Sequence, residues 1–381
     1  MQKELLQWIE IDSSALEHNI RQFRNLIGST KKMAVMVKAN AYGHGILEIS
    51  RLASAYGADW LGVNSLEEGL LLRENGINLP IILLNYVPFS ELKKAIENNL
   101  RLTVYNQETI NKLGQITTRI QNKANLHIKL ETGTHRQGIK EDNLLPFIEN
   151  IKKYPFLIVE GISTHFANIE DTTDHSYAQA QLEKFNFCLN LLKEKNIKIP
   201  IKHAACSAAT ILFPETYFNM VRVGIGIYGL WPSKETYLSC LQNQRAPVNL
   251  KPVLTWKTKI VQVKQVPEGA FIGYGCTYKT TRLTKLAVLP VGYYDGYDRQ
   301  LSNSSYTLVK GKRAPLRGRV AMNFITVDIT DIPGVKLEDE VVLLGQQNEE
   351  IITAEYLANL CGTINYEIVA RTNPLVPRLV K

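Results

Sequence analysis

No apolar run in the chain approaches the ~20 residues that a bilayer-spanning helix needs. Residues 1–12 carry early acidic side chains and no apolar leader core, so no signal peptide is expected. These two absences predict a cytoplasmic protein without a membrane partner. Cysteine is scarce, at 188, 206, 240, 276 and 361, and no two form a C-x-x-C pair. That pattern supports neither a zinc ribbon nor a redox motif, so no metal is expected and the thiols read as reduced core fillers. Low-complexity tracts are missing as well. The chain is basic, with formal charge +8 and pI ≈ 9.0, but its lysines are spread out rather than gathered into a stripe. Nucleic acid is therefore not an expected partner.

What is present is an alternation. Short apolar strand candidates recur at 33–38, 59–64, 81–86, 101–105, 126–131, 157–164, 202–206 and 220–228. Amphipathic helical patterns lie between them, the first at 13–26 with a capping box proposed from Ser14 to Glu17. Further helices are expected at 46–56, 66–75, 90–98, 107–120, 143–152 and 176–195. About eight β/α units within about 230 residues match an α/β fold of the (β/α)8 TIM-like barrel type, assigned to residues 12–240. A doubly wound sheet fits that count less well. After about residue 240 the pattern alternates in the β manner and is punctuated by Pro and Gly, which predicts a mainly β domain over 241–381. Residues 7–11 read as one more strand that could join either domain.

The first barrel strand ends in Val37-Lys38-Ala39-Asn40-Ala41-Tyr42-Gly43-His44-Gly45. A lysine closing a buried apolar strand is costly while charged. It can snorkel to water, or its lowered pKa can serve a Schiff base with an aldehyde cofactor. In a barrel, chemistry sits at the carboxyl ends of the strands. Those ends supply Lys38 and Tyr42, Lys129 with Arg136 beyond it, His165, His203 and Ser207, and Arg222 with Gly224 and Ile225. Singly, His165 reads as a hydrogen-bonded core histidine and Arg136 as a surface ion pair. The run 224–229 matches G-x-G-x-x-G, but Trp231-Pro232 follows instead of a helix, so a dinucleotide reading is poor. Ser207, Gly224 and Ile225 fit a phosphate better, because barrel phosphate sites lie after strands seven and eight. A phosphate site and an amine on one rim point to pyridoxal 5′-phosphate (PLP). Arg222 as the partner of its pyridine nitrogen would donate without giving up a proton. That makes a weaker electron sink and favours racemisation over decarboxylation or transamination.

With these motifs in view the chain resembles the bacterial, fold-type III PLP-dependent alanine racemases from about residue 8 to 378. Residues 37–45, 164–167, 222–225, 273–278 and 318–322 carry the likeness. The resemblance implies racemisation of L- and D-alanine that supplies peptidoglycan. It makes Lys38 the PLP carrier and one base, and Tyr274 the opposite base. Tyr274 would come from the partner subunit, so a homodimer with shared sites is implied. Tyr42, Ser207, Gly224, Ile225 and Tyr366 would hold the phosphate. Arg222, backed by His203, would face the pyridine nitrogen. His165 would stack near the ring and link Arg222 to Tyr274. Arg136 and the Met322 backbone would hold the substrate carboxylate, while Tyr293, Arg299, Arg319 and Tyr366 would line the access channel. Lys129 matches a position carbamylated in many members, and the resemblance implies the same here; the plainer reading is an unmodified amine near Glu131.

Four positions depart from the family pattern: Cys206 for Asn, Ala321 for Cys, Asn323 for Asp and Asn365 for Pro. A racemase preferring serine, or a broader set of small amino acids, is the close rival. Barrel decarboxylases usually aim a carboxylate at the pyridine nitrogen, which Arg222 argues against. PLP-carrying homeostasis proteins resemble the barrel alone, so the domain holding Tyr274 separates them.

Overall fold

The computed structural model describes residues 4–243 and 248–381. Residues 1–3, part of the stretch read for a leader, and 244–247, inside the expected β domain, lie outside the described residues.

Two compact units emerge, and the chain passes between them more than once. One comprises residues 16–39 and 49–251, the other 1–15, 40–48 and 252–381. The first strand, β1 (Gln7–Ile11), belongs to the second unit, where it pairs antiparallel with 254–259 and parallel with 378–380.

The first unit is the parallel barrel. Its strands are β2 (Lys32–Met36), β3 (Trp60–Val63), β4 (Ile81–Leu83), β5 (Leu100–Val104), β6 (Ala124–Lys129), β7 (Leu157–Ser163), β8 (Ile201–His203) and β9 (Met220–Val223). They run in the order β8-β7-β6-β5-β4-β3-β2-β9. Two bonds across the remaining gap bring β8 and β9 together: Asn219 N–H donates to the Lys202 carbonyl (3.1 Å) and Arg222 N–H to that of Ala205 (2.9 Å). Strands such as β3 and β4 are buried on both faces, as unbroken apolar runs require. Helices occupy the connections, and several stop at a glycine or asparagine, as with Asn75 and Asn98.

Two local expectations need correction. The Ser14–Glu17 capping box does not form. Asp12 Oδ1 instead accepts from the Ala15 N–H (2.9 Å) and from the Ser14 hydroxyl (2.7 Å), while Glu17 pairs with Arg21 (2.6 Å). A charged carboxylate is the stronger acceptor for an open helix end. A full capping box stands at Ser65 and Glu68. The strand expected at 220–228 ends at Val223, where a 3₁₀ turn, Ile225–Tyr228, takes over.

The second unit is mainly antiparallel β. A seven-stranded sheet includes 306–309, 312–315 and 340–347 beside the strands already named. A three-stranded sheet holds 262–266, 284–289 and 325–328, and a hairpin pairs 271–272 with 278–279. Two short helices, Ala354–Cys361 and Asn365–Ala370, complete it. Among the described residues no helix is long and apolar enough to cross a membrane.

Candidate active site

β2 runs through fully buried Met33, Ala34 and Val35 and delivers Lys38 just past its end, half-buried. Burial holds this amine below the usual lysine range. Arg136 and Arg222 push the same way, while Glu68 and Glu170 oppose them. A neutral amine is the nucleophilic form. Directly after Lys38 the backbone leaves ordinary space. Ala39, Asn40, Ala41 and Tyr42 have φ of 54, 52, 52 and 54°, a left-handed turn built without glycine. Side-chain-bearing residues lose roughly 1–2 kcal/mol each in that region, so this is strain stored beside the lysine. Glu68 helps hold it, its Oε1 accepting from the Ala39 N–H at 2.6 Å. Gly43 follows at φ +84°. A Cβ there would stand 1.9 Å from the Val369 carbonyl, so only glycine fits.

The expected phosphate residues of the barrel come together. The Ser207 hydroxyl accepts from the N–H of Gly224 (2.9 Å) and of Gly226 (3.4 Å). The helix Ser207–Leu212 and the turn at Ile225 thus start side by side, and their first backbone N–H groups suit an anion. Tyr42 and Tyr366, both in the second unit, have ring centroids 6.0 Å apart.

Arg222 is buried and held at both ends of its guanidinium. Nη1 donates to His203 Nδ1 (2.7 Å) and to the His203 carbonyl (3.0 Å). Nη2 donates to the Thr164 and Ala204 carbonyls (2.8 and 2.9 Å) and lies 3.3 Å from His165 Nδ1. Nε–H takes part in none of these bonds. Burial lowers the guanidinium to about 10, so it stays a cation near neutrality. Burial, and then Lys129, Arg222 and Arg136, keep His165 neutral. His203 is kept neutral by burial and then Arg222.

Lys129 ends β6. Part of its surface is accessible, yet it lies deep enough that burial, then Arg222 and Arg136, press its amine far below the usual range. Glu131 is the opposing charge. Its carboxylate accepts from the N–H of Gly133 (2.6 Å) and of Arg136 (3.2 Å), shaping the loop that carries the exposed Arg136. Gln181 was not among the expected residues. It donates to the Thr132 hydroxyl (3.2 Å) and the His165 carbonyl (3.1 Å) and accepts from the Ala167 N–H (2.8 Å). Its position on a helix far along the chain gave no signal. His127 and Glu160 were missed too: His127 Nδ1 lies 2.9 Å from His203 Nε2, and its Nε2 lies 3.4 Å from Glu160 Oε2.

The remaining expected residues stand in the second unit. Tyr274 is 74 % exposed, between Gly273 and Gly275, both at positive φ. The Arg319 guanidinium packs against Gly275, where a Cβ would meet it at 3.0 Å. Met322 is exposed, and its carbonyl accepts from the Tyr294 N–H (3.0 Å), while Ala321's accepts from Tyr293's (3.0 Å). Gly292 permits this approach, since a Cβ there would lie 2.2 Å from the Ala321 carbonyl oxygen. Arg299 is exposed in a 3₁₀ turn.

Comparison with known proteins resolves what this arrangement belongs to. The family description "Alanine racemase, N-terminal domain" matches residues 11–232, and "Alanine racemase, C-terminal domain" matches 253–380. The chain belongs to the alanine racemase family. It is 42 % identical to the alanine racemase of Halothermothrix orenii, covering 98 % of this chain and 96 % of that protein. Identity to the Methanococcus maripaludis enzyme is 41 %, with 98 % of each covered. The solved alanine racemase of Clostridium difficile 630 superposes with a TM-score of 0.93 at 34 % identity, over 100 % of this chain and 97 % of that one. The Bacillus anthracis enzyme with bound L-Ala-P gives 0.92 at 35 %, over 100 % and 96 %.

The family is PLP-dependent, and the racemase barrel fits that cofactor on its own geometry. It offers a depressed lysine amine, an N–H cradle around Ser207 suited to a phosphate, and an immobilised arginine with Nε–H left over. Its departures from the family pattern find local roles. Cys206 is buried, its thiol pushed up to about 12, first by burial and then by Glu170, and its Sγ lies 3.7 Å from Glu170 Oε1. Arg222 is held without it. Asn365 donates to Glu355 Oε1 (2.9 Å), tying the two terminal helices together. Ala321 and Asn323 flank Met322 in a tight turn, where the Ala321 N–H donates to the Phe324 carbonyl (3.0 Å).

Proposed function

We propose that the chain interconverts L- and D-alanine with Lys38 and Tyr274 as bases on opposite faces of the substrate. When bound, PLP supplies electron withdrawal that acidifies the substrate Cα–H. Lys38 carries the cofactor, and its lowered pKa lets the amine take a proton and return it. Racemisation removes a proton from one face and adds one to the other, so a second base is needed there. Tyr274 of the partner subunit meets that need. Its exposure on the second unit, which also exposes Phe271, Tyr293, Tyr294, Met322 and Phe324, supports a surface completed by a second copy.

Tyr42, Ser207, Gly224, Ile225 and Tyr366 would hold the phosphate, and Arg222 would offer Nε–H to the pyridine nitrogen. An arginine there donates without protonating the ring, which limits electron withdrawal and favours return of the proton over other outcomes. His165 would stack near the ring and link Arg222, 3.3 Å from its Nδ1, to Tyr274. Arg136 and the Met322 backbone fix the substrate carboxylate; Tyr293, Arg299, Arg319 and Tyr366 line the approach.

Lys129 is carbamylated in this reading. Its depressed amine is the species that adds to carbon dioxide, forming an N–C bond and releasing a proton. The resulting carboxylate neutralises the crowding of Arg136 and Arg222. The enzyme works in the cytoplasm and supplies D-alanine for peptidoglycan.

The immobilised Arg222 beside a depressed Lys38 is the observation that carries the proposal. A visible absorption band lost on Lys38→Ala, with racemisation abolished, tests it. A colourless wild-type protein without vitamin B6 overturns it, and serine turnover equal to alanine turnover displaces the narrow substrate.

A further inference from the structure

We propose that Glu160, acting through His127, fixes the tautomer of His203 so that its Nδ1 accepts from Arg222. Only the catalytic consequence rests on the racemase reading. A guanidinium has donors and no acceptor, so the 2.7 Å contact from Arg222 Nη1 requires a lone pair on His203 Nδ1. A neutral His203 then carries its proton on Nε2, 2.9 Å from His127 Nδ1, which must accept. His127 in turn carries its proton on Nε2, facing Glu160 Oε2 at 3.4 Å. An ionised carboxylate only accepts, so the chain has one allowed direction. Reversed, it would set N–H against N–H at Arg222. Burial keeps both imidazoles neutral, as this scheme requires.

The backbone is shaped for the link. Leu126 pairs with Val159 but His127 pairs with Gly161, leaving Glu160 as the extra residue of a β-bulge. Bulges redirect a side chain, here toward His127. Gly161 makes the room, since a Cβ there would lie 2.2 Å from His127 Nδ1. Arg101 Nε holds Glu160 Oε2 at 3.3 Å and its guanidinium covers Trp60, whose ring packs edge-on against His127. His127 and Glu160 are thus positioning residues, with Arg222 the group they act on.

Nitrogen-15 NMR of histidine-labelled holoenzyme tests this directly. Both His127 and His203 should show bare Nδ1 and protonated Nε2. Glu160→Leu should lose that single pattern and lower kcat by about tenfold, with KM for alanine little changed. Glu160→Gln should restore both, because an amide oxygen also accepts. Protonated Nδ1 on either histidine of the wild type overturns the proposal, as does Glu160→Leu with wild-type tautomers and kcat. Should Glu160→Leu not fold, Glu160→Ala read for the same tautomers and kcat decides instead. Absence of racemisation in the wild type would count against the racemase reading and leave the tautomer result standing.

Discussion

Lys38 and Lys129 share a barrel and the same two cationic neighbours, Arg136 and Arg222, yet they call for different chemistry. Lys38 has two carboxylates, Glu68 and Glu170, acting on it, whereas among the described residues Glu131 is the carboxylate acting on Lys129. Native mass spectrometry should therefore find one carbon dioxide added to the chain, absent in Lys129→Arg; an unmodified amine removes the carbamate proposal. Tyr274→Phe should abolish abstraction from L-alanine while leaving the visible band intact, which absorbance and a racemisation assay together would check. Residues at strand ends, such as Lys38, His165 and Arg222, were legible because barrel logic says where to look. His127 and Glu160 were not. A histidine inside an apolar strand has an ordinary core reading, and nothing in Val159-Glu160-Gly161 announces a bulge.

Among the elements, the turn after Lys38 is the strained one. Gly43→Ala should destabilise the protein by about 1–3 kcal/mol or more, since the added carbon meets backbone oxygen that cannot rotate away. Thermal unfolding would measure it, and an unchanged Tm would show that the loop relaxes. Periodicity revealed seven barrel helices and all eight barrel strands, though not the helix Lys234–Gln242, because a buried strand and an amphipathic helix each impose a repeat on sequence. It could not reveal the left-handed turn, since Ala39, Ala41 and Tyr42 disfavour it and tertiary contacts impose it. The short helix Ser207–Leu212 escaped for a related reason: six residues are too few to display a period.

For the whole molecule, acid should be destabilising. Burial holds His44, at about 4, and His127, His165 and His203 below the usual 6.5. The unfolded chain then binds protons that the folded one does not. Stability is complete above about pH 6.5 and falls below it, by up to about 1.4 kcal/mol per pH unit for each such histidine. Tm measured from about pH 8 to 5 should decline, and a flat profile would contradict the neutral assignments. The shared-site proposal makes a second prediction. Lys38→Ala and Tyr274→Phe proteins, each inactive, should regain partial activity when unfolded and refolded together, because a mixed dimer contains one intact pair. No recovery, with mixed dimers present, would place both groups in one subunit. The barrel and the β-rich unit were both foreshadowed by alternation, but the route of the chain was not, because pairing between residues 7–11 and 378–380 is set by contacts no local pattern encodes.

A ribosome releases residues 7–11 and 40–48 long before their sheet partners and anchors exist. Strand 7–11 waits for 254–259 and 378–380, and the Gly43 carbonyl waits for the Arg378 guanidinium at 2.8 Å. The loop after Lys38 therefore gains this anchor only once residues 378–380 have been made. Without Arg378 the Gly43 carbonyl would lose that guanidinium, and the 40–48 loop would keep only its local contacts.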